Sequence, residues 1–314
     1  MPEFLLADIG GTTSRLAFAK AGGKPERIVS IANETVSSLE AMIAQSLDGL
    51  ADRPRAAVLA VAGPIDGDAV ALTNRSWRFS LQELSARFGF PFRAINDFEA
   101  VAWSVRRLGD GDTRALGGPA RRADGVKVVL GPGTGLGVGA LVPAGGAWHV
   151  VASEGGHCSF GPAAAEEDGV FARLAQEVAP VSAECILSGP GLARLHRAVN
   201  PDAMKLSPEM ILTQARAGHR EARNTVALFV RLLGRFAGDM ALTFKASGGV
   251  YIAGGVAVKL GTLLDERVFR AAFEAHPPHR GLLAAMATSL ITCEEPGLLG
   301  CSAYAAQTAE GASR

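Results

Sequence analysis

The sequence predicts a soluble α/β protein in two domains, and three observations carry that prediction. Its 314 residues suffice for two domains or for one large one. Apolar runs of strand length alternate with helical stretches that carry recognisable caps. A stretch rich in Gly, Arg, Asp and Pro, from about Asp110 to Gly125, reads as a linker or long loop near a domain boundary.

Phe4 to Ile9 is a short apolar run that ends in Asp8-Ile9-Gly10-Gly11-Thr12-Thr13. Arg15 to Ala19, the turn Gly22-Gly23-Lys24-Pro25 and Arg27 to Ile31 follow, which predicts an antiparallel meander of three strands. Ser37-Ser38-Leu39-Glu40 contains an S-x-x-E capping box, and apolar Ile43 and Leu47 continue a helix behind it. Ala56 to Ala62 is a continuous apolar run, hence a buried strand, stopped by Gly63-Pro64-Ile65-Asp66-Gly67. Ser80-Leu81-Gln82-Glu83 opens a second capped helix with Gly89 as its stop, and Arg93-Ala94-Ile95 is a short strand ending at Asn96-Asp97.

Past the linker, Val126 to Leu130 forms a strand that runs into a second glycine-rich turn, Gly131-Pro132-Gly133-Thr134-Gly135-Leu136-Gly137. Helices then dominate. Ser207-Pro208-Glu209 supplies the cap and first two positions of one, closed by Gly218. From Glu221 to about Ala246, Val226, Phe229, Val230, Leu233, Phe236 and Met240 recur at helical spacing, so this is a buried core helix. Val250 to Ala253 is a strand ending at Gly254-Gly255, and Gly297 to about Gln307 forms a final helix.

Bulk composition excludes several classes. Hydrophobic residues make up 48% and charged residues 20%, an ordinary globular balance that argues against disorder. The formal net charge is zero, so no basic excess points to nucleic acid or a membrane surface. The N-terminus lacks a basic, apolar leader, and no apolar run approaches the roughly 20 residues of a membrane span, so the expectation is a cytoplasmic location. None of the four cysteines, Cys158, Cys185, Cys293 and Cys301, forms a C-x-x-C pair, and all are read as reduced thiols.

Glycine admits positive φ and close approach of a bulky anion, and successive N–H groups in such turns make anion-binding nests. Two Gly/Thr turns directly after strands therefore suit a nucleoside triphosphate, with the hydroxyls of Thr12 and Thr134 as added donors. Each turn alone reads equally well as an ordinary hairpin. Gly135 to Ala140 satisfies the dinucleotide G-x-G-x-x-G/A pattern, but that fingerprint opens a helix. Val138 to Val142 reads as another strand, and no G-x-x-x-x-G-K-[ST] loop exists in the chain.

Seven motifs fall in one order: Asp8-Ile9-Gly10-Gly11-Thr12; Ile95-Asn96-Asp97-Phe98; Gly131 to Gly137; Glu154-Gly155-Gly156-His157; Leu187-Ser188-Gly189-Pro190-Gly191-Leu192; Ile252-Ala253-Gly254-Gly255; and Pro296-Gly297-Leu298-Leu299-Gly300. In this the chain closely resembles the bacterial ATP-dependent glucokinase family, over nearly its whole length. The resemblance implies an α/β two-domain actin-like/ribonuclease H-like ATPase fold, with a sugar cleft between a small α/β domain (1–107, rejoined by a C-terminal helix, 298–314) and a larger α+β domain (108–297). It implies phosphorylation of D-glucose at the 6-hydroxyl with Mg-ATP, the first step of glycolysis, and a homodimer. Asp8 would sit near Mg²⁺, through water, with Gly10, Gly11, Thr12 and Thr13 cradling phosphates. Gly131, Gly133, Thr134 and Gly135 would form the second phosphate turn, and Gly254 and Gly255 would approach the adenosine. Asn96, Asp97, Glu154, His157 and Glu184 would hold the sugar, with Asp97 as catalytic base. The pattern departs from the family's at Ala7, usually Gly, and at Thr13, usually Asn, although Thr13 keeps a hydroxyl.

The residues support this chemistry independently. A sugar hydroxyl is a poor nucleophile, and one carboxylate in reach can take its proton. Asp97, at a predicted strand end, can project to do so, or it can cap the helix that starts near Phe98. Phosphoryl transfer otherwise asks mainly for positioning and neutralised phosphate charge. Glu154 and His157 sit in a glycine loop, where a carboxylate accepts and an imidazole donates or accepts from hydroxyls; a solvated loop Glu and a structural His are the alternative. Glu184 has no local motif and is selected by the resemblance alone. The rival readings are a kinase for another hexose, a sugar-sensing regulator and a non-catalytic sugar-binding protein.

Overall fold

The computed structural model describes residues 4–63, 65–72, 77–119 and 121–311. Two compact units divide the chain: one takes the residues up to Asp110, Gly146–Val150 and those from Cys293 on, the other Gly111–Gly145 and Val151–Thr292.

In the first unit, the apolar run at the N-terminus becomes β1 (Phe4–Ile9), β2 is Thr13–Ala19 and β3 is Glu26–Ala32, the predicted meander. Helix α1 (Leu39–Leu47) precedes β4 (Ala56–Val61). Its cap is Ser38, whose hydroxyl accepts from the Ala41 N–H, rather than the Ser37 that opens the S-x-x-E pattern. Three short strands, β5 (Ile65–Asp66), β6 (Ala69–Ala71) and β7 (Arg78–Ser80), form a small sheet of their own. Helix α2 (Leu81–Phe88) is capped by Ser80 and stopped by Gly89 at φ 81°, as the sequence predicts. β8 (Phe92–Asn96) and α3 (Asp97–Ser104) follow directly.

The main sheet runs β3-β2-β1-β4-β8. β1 and β4 pair in parallel, as do β4 and β8, while β1–β2 and β2–β3 are antiparallel. Parallel strands are buried on both faces, which is why Leu5, Leu6, Ala7, Ile9 and Ala57 to Val61 are all at or near zero exposure, and why β3, at the edge, is open to solvent. β1, β4 and β8 all end on the same side of the sheet, which carries Asp8 and Asn96-Asp97 to one edge.

In the second unit, β9 (Thr113–Gly117) lies inside the stretch expected to be a linker or loop. Its short Thr-Arg-Ala-Leu-Gly run lacks a strand's apolar pattern because it is an edge strand, paired only to β14 (Thr288–Ile291). β10 (Lys127–Pro132) and β11 (Leu136–Ala144) form a hairpin, and β12 (Ala147–Ser153), whose residues up to Val150 are assigned to the first unit, follows. The continuation of the second glycine turn as a strand rules out the dinucleotide fingerprint on structural grounds. The sheet order is β12-β11-β10-β13-β14-β9, with β13 at Val250–Ile252. Helices α4 (Ala165–Glu177), α5 (Gly189–Val199), α6 (Pro208–Arg216), α7 (Arg220–Phe244), α8 (Gly255–Leu260), α9 (Glu266–Glu274) and α10 (Arg280–Ala284) pack around it. Ser207 caps α6, and α7 buries Val226, Phe229, Val230, Leu233 and Phe236 in the core.

The chain ends in α11 (Pro296–Gly311), which lies against α3 in the first unit. A Cβ at Gly300 would strike the Ala100 carbonyl, so this crossing requires glycine. Among the described residues no helix is long and apolar enough to cross a membrane.

Candidate active site

Hairpin register brings the first candidate residues together. Asp8 is the cross-strand partner of Arg15, and the turn between them closes with the Gly10 N–H donating to the Thr13 carbonyl at 3.2 Å. Thr12 is exposed at its tip. Beside Asp8 a cavity of about 230 Å³ is lined by Asp8, Arg15, Asp97, Phe98, Glu295 and Gly297, among others. Arg15 Nε meets Glu295 Oε1 at 3.0 Å. Gly297, in the first turn of α11, leaves room for the Asp8 carboxylate: a Cβ there would lie 2.9 Å from Oδ2.

Burial of the Asp8 carboxyl pushes its pKa up to about 6, the negative charge of Asp97 adds to the rise, and Arg15 opposes it. Burial likewise raises Asp97, against hydrogen bonds from the backbone and from Asn96. Glu295 is raised as well, again by burial first. These are acids held where ionisation is costly, a condition that a cation or a transferable proton relieves.

Asn96, rather than Asp97, caps α3. Its Oδ1 accepts from the N–H groups of Phe98 at 2.9 Å and Glu99 at 3.3 Å. Asp97 Oδ1 accepts from Phe98 N–H at 2.8 Å. The cap committed to Asn96 leaves that residue's amide N–H₂ as the group it can offer a hydroxyl.

The second unit assembles a different set. In its glycine turn, the Gly133 N–H donates to the Gly135 carbonyl at 2.8 Å, and the Gly133 carbonyl accepts from Gly189 N–H, the first residue of α5, at 2.8 Å. The Leu136 N–H donates to Glu184 Oε2 at 2.8 Å. A Cβ on Gly135 would overlap that same oxygen, so glycine is required where the carboxylate passes beneath the turn. Gly131 is buried within β10 opposite Gly137, and Thr134 is exposed. Gly254, at φ 88°, sits where a Cβ would strike the Pro132 carbonyl, and Gly255 opens α8.

Glu154-Gly155-Gly156-His157 makes one tight helical turn, with His157 N–H donating to the Glu154 carbonyl at 2.9 Å. Glu184 N–H donates to the Gly156 carbonyl at 2.8 Å, which binds that loop to the Glu184 segment. His157 Nε2 stands 3.7 Å from Glu154 Oε2 and its Nδ1 3.8 Å from Glu184 Oε1. Both distances exceed a hydrogen bond, so an imidazole flanked by two carboxylates presents polar groups still able to bind hydroxyls. Glu154 and His157 share one turn, and the structure brings Glu184, 27 residues beyond His157, to them. Arg15, Glu295 and Gly297 were missed by sequence reasoning. Arg15 had a signal, since a four-residue turn after Ile9 pairs it with Asp8, and Gly297 lay within a quoted motif without an assigned role, whereas Glu295 had none.

A parallel-cored α/β unit with an acid pair at its strand ends, a second α/β unit and a glycine hairpin in each define the sugar kinases, ATP-dependent phosphotransferases of the actin-like fold. A family model described as Glucokinase matches residues 5–308. The chain is 41% identical over 309 residues to a glucokinase of Chelativorans sp., covering 96% of this chain and 90% of that protein. It is 39% identical over 312 residues to a glucokinase of Tolumonas auensis, covering 97% of each. The crystal structure of a glucokinase from an Antarctic psychrotroph superposes with a TM-score of 0.90 at 31% identity, covering 96% of this chain and 98% of that one. The chain belongs to the glucokinase family.

Proposed function

We propose that the protein transfers the γ-phosphoryl group of ATP to the 6-hydroxyl of D-glucose, giving glucose 6-phosphate and ADP. The observation that carries the residue assignment is Asp97: it stands at a strand end beside Asp8, the capping duty falls to Asn96, and burial raises its basicity. Asp97 accepts the proton of the attacking hydroxyl as the bond from that oxygen to the γ-phosphorus forms and the bond to the ADP oxygen breaks. The Asn96 amide, Glu154, His157 and Glu184 hold the remaining sugar hydroxyls and orient the ring. The N–H groups and hydroxyls of Gly10, Gly11, Thr12 and Thr13 take one part of the triphosphate, and those of Gly131, Gly133, Thr134 and Gly135 another. Gly254 and Gly255 lie against the adenosine.

The donor chemistry fits Mg²⁺. Asp8 is a hard oxygen ligand whose charge, in the protein alone, is opposed by burial and by Asp97. Asp8 would hold the ion through water, and the ion would neutralise charge on the phosphate oxygens. A cytoplasmic location follows from the supply of ATP, and the homodimer implied by the resemblance is to be checked by light scattering.

The test is ADP release from purified protein with Mg-ATP over glucose, mannose, fructose, N-acetylglucosamine and no sugar, beside Asp97→Asn. Glucose-dependent release that collapses in the variant supports the reading. Turnover on another sugar replaces the substrate. No sugar-dependent release from folded protein defeats it.

A further inference from the structure

A turn that aims N–H groups outward at an anion turns carbonyls inward, where they require donors. In the first glycine turn those carbonyls belong to Gly10 and Thr12, and one residue serves both. Asn33, the residue directly after β3, is fully buried. Its backbone N–H donates to the Thr12 carbonyl at 2.8 Å, and its Nδ2 donates to the Gly10 carbonyl at 2.8 Å. The amide is itself oriented by a second fully buried residue: Ser14 Oγ donates to Asn33 Oδ1 at 2.7 Å. A flipped amide would turn its oxygen on the Gly10 carbonyl and lose that bond, so its orientation is determined. The N–H groups of Gly11 and Thr12 meet no acceptor among the described residues.

We infer that Asn33 is a positioning residue for nucleotide binding: by tying the Gly10 and Thr12 carbonyls inward, with Ser14 setting its amide, it holds the Gly11 and Thr12 N–H groups toward the phosphates. The inference rests on the reading of this turn as a phosphate site. The bonds Asn33 makes to the turn run to the Gly10 and Thr12 carbonyls, so it acts on the phosphates through the turn. Without its amide, Gly10 O is left half-buried and unpaired, and the turn gains by rotating that peptide toward solvent, which spoils the nest.

Three variants test it: Asn33→Ala, Asn33→Asp, which keeps the acceptor for Ser14 but loses the donor to Gly10, and Ser14→Ala. Affinity for Mg²⁺ with the non-hydrolysable analogue adenylyl imidodiphosphate is measured by calorimetry, and KM for ATP and for glucose by initial rates. Thermal unfolding records whether each variant is folded. The expected result is a loss of nucleotide affinity of about tenfold in Asn33→Ala and Asn33→Asp, the worth of one hydrogen bond to a half-buried acceptor. KM for ATP rises in step while KM for glucose holds within about twofold. Ser14→Ala should show the same split at about threefold, and it decides the matter if the Asn33 variants do not fold. Unchanged nucleotide affinity in a folded variant, or equal loss for ATP and glucose, overturns the inference. A wild-type protein that binds no Mg-nucleotide overturns the phosphate reading itself, and the inference with it.

Discussion

Gly10–Thr13 and Gly133–Gly135 are both glycine hairpins that follow a buried strand, yet each is braced by different means. Behind the first stands neutral chemistry, the Asn33 amide and the Ser14 hydroxyl, both fully buried and near in sequence. Behind the second stand the Gly189 N–H at the start of a helix and the charged Glu184 carboxylate, 48 residues beyond Leu136. Each turn also has a glycine pressed against an acid: Gly297 against Asp8 in one unit, Gly135 against Glu184 in the other. The first acid is short, half-buried and crowded by Asp97. The second is longer, and its side chain is 32% exposed. A site built from neutral, local parts tolerates a half-buried acid pair beside it, while a charged brace must stay near solvent to keep its own cost low.

The comparison can be broken most forcefully at the acid pair. Asp97→Asn should lower kcat by about a thousandfold while leaving the fold intact, because the proposed general base is lost and a like charge beside Asp8 is removed with it; initial rates and thermal unfolding check this. Next comes Gly297→Ala. The added methyl would lie 2.9 Å from Asp8 Oδ2, and kcat/KM should fall by about a hundredfold through displacement of Asp8. Gly135→Ala meets the more flexible Glu184, which can swing away at the loss of its Leu136 bond. Its effect should be smaller, about tenfold, and confined to nucleotide and sugar affinity rather than kcat. Equal losses in the two glycine variants would erase the proposed difference between the turns.

The smallest effect is the most diagnostic of sign. Asp8 has a folded-state pKa of about 6 against an ordinary 3.8. Between those values the folded chain keeps a proton that the unfolded chain releases, so this group adds stability as pH falls into the window and withdraws it as pH rises through about 6. Metal-dependent nucleotide binding should run the other way, weakening below pH of about 6 as the carboxylate is lost. Urea midpoints and nucleotide affinity measured from pH 4 to 8, roughly the span over which carboxylates shifted in this way titrate, should therefore move in opposite directions. Asp8→Asn should flatten both trends.

Much of this was legible in the sequence where the physics is local. The caps at Ser80 and Ser207, the stop at Gly89, the core stripe of α7 and both glycine hairpins follow from spacing over a few residues. Local readings failed where neighbours compete or pattern is absent. Ser38 outcompeted Ser37 for the α1 cap, and β9 hid in a polar stretch because an edge strand needs no apolar alternation. Asn33 gave no sign, since a lone Asn after a strand reads as a turn residue until its burial is known.

By itself, then, the amino-acid sequence determined the elements: which runs are buried strands, where glycine must turn the chain, and that Asp8 faces Arg15 across a hairpin. Those outcomes depend on backbone sterics and hydrophobic period, which act within a few residues. Only the tertiary structure decided that Asn33 would sit behind Gly10, that Glu184 would pass beneath Gly135 beside His157, and that Gly297 at the far end of the chain would roof Asp8. Such pairings are set by strand order and helix crossing, which bring together groups whose separation along the chain carries no periodic signal.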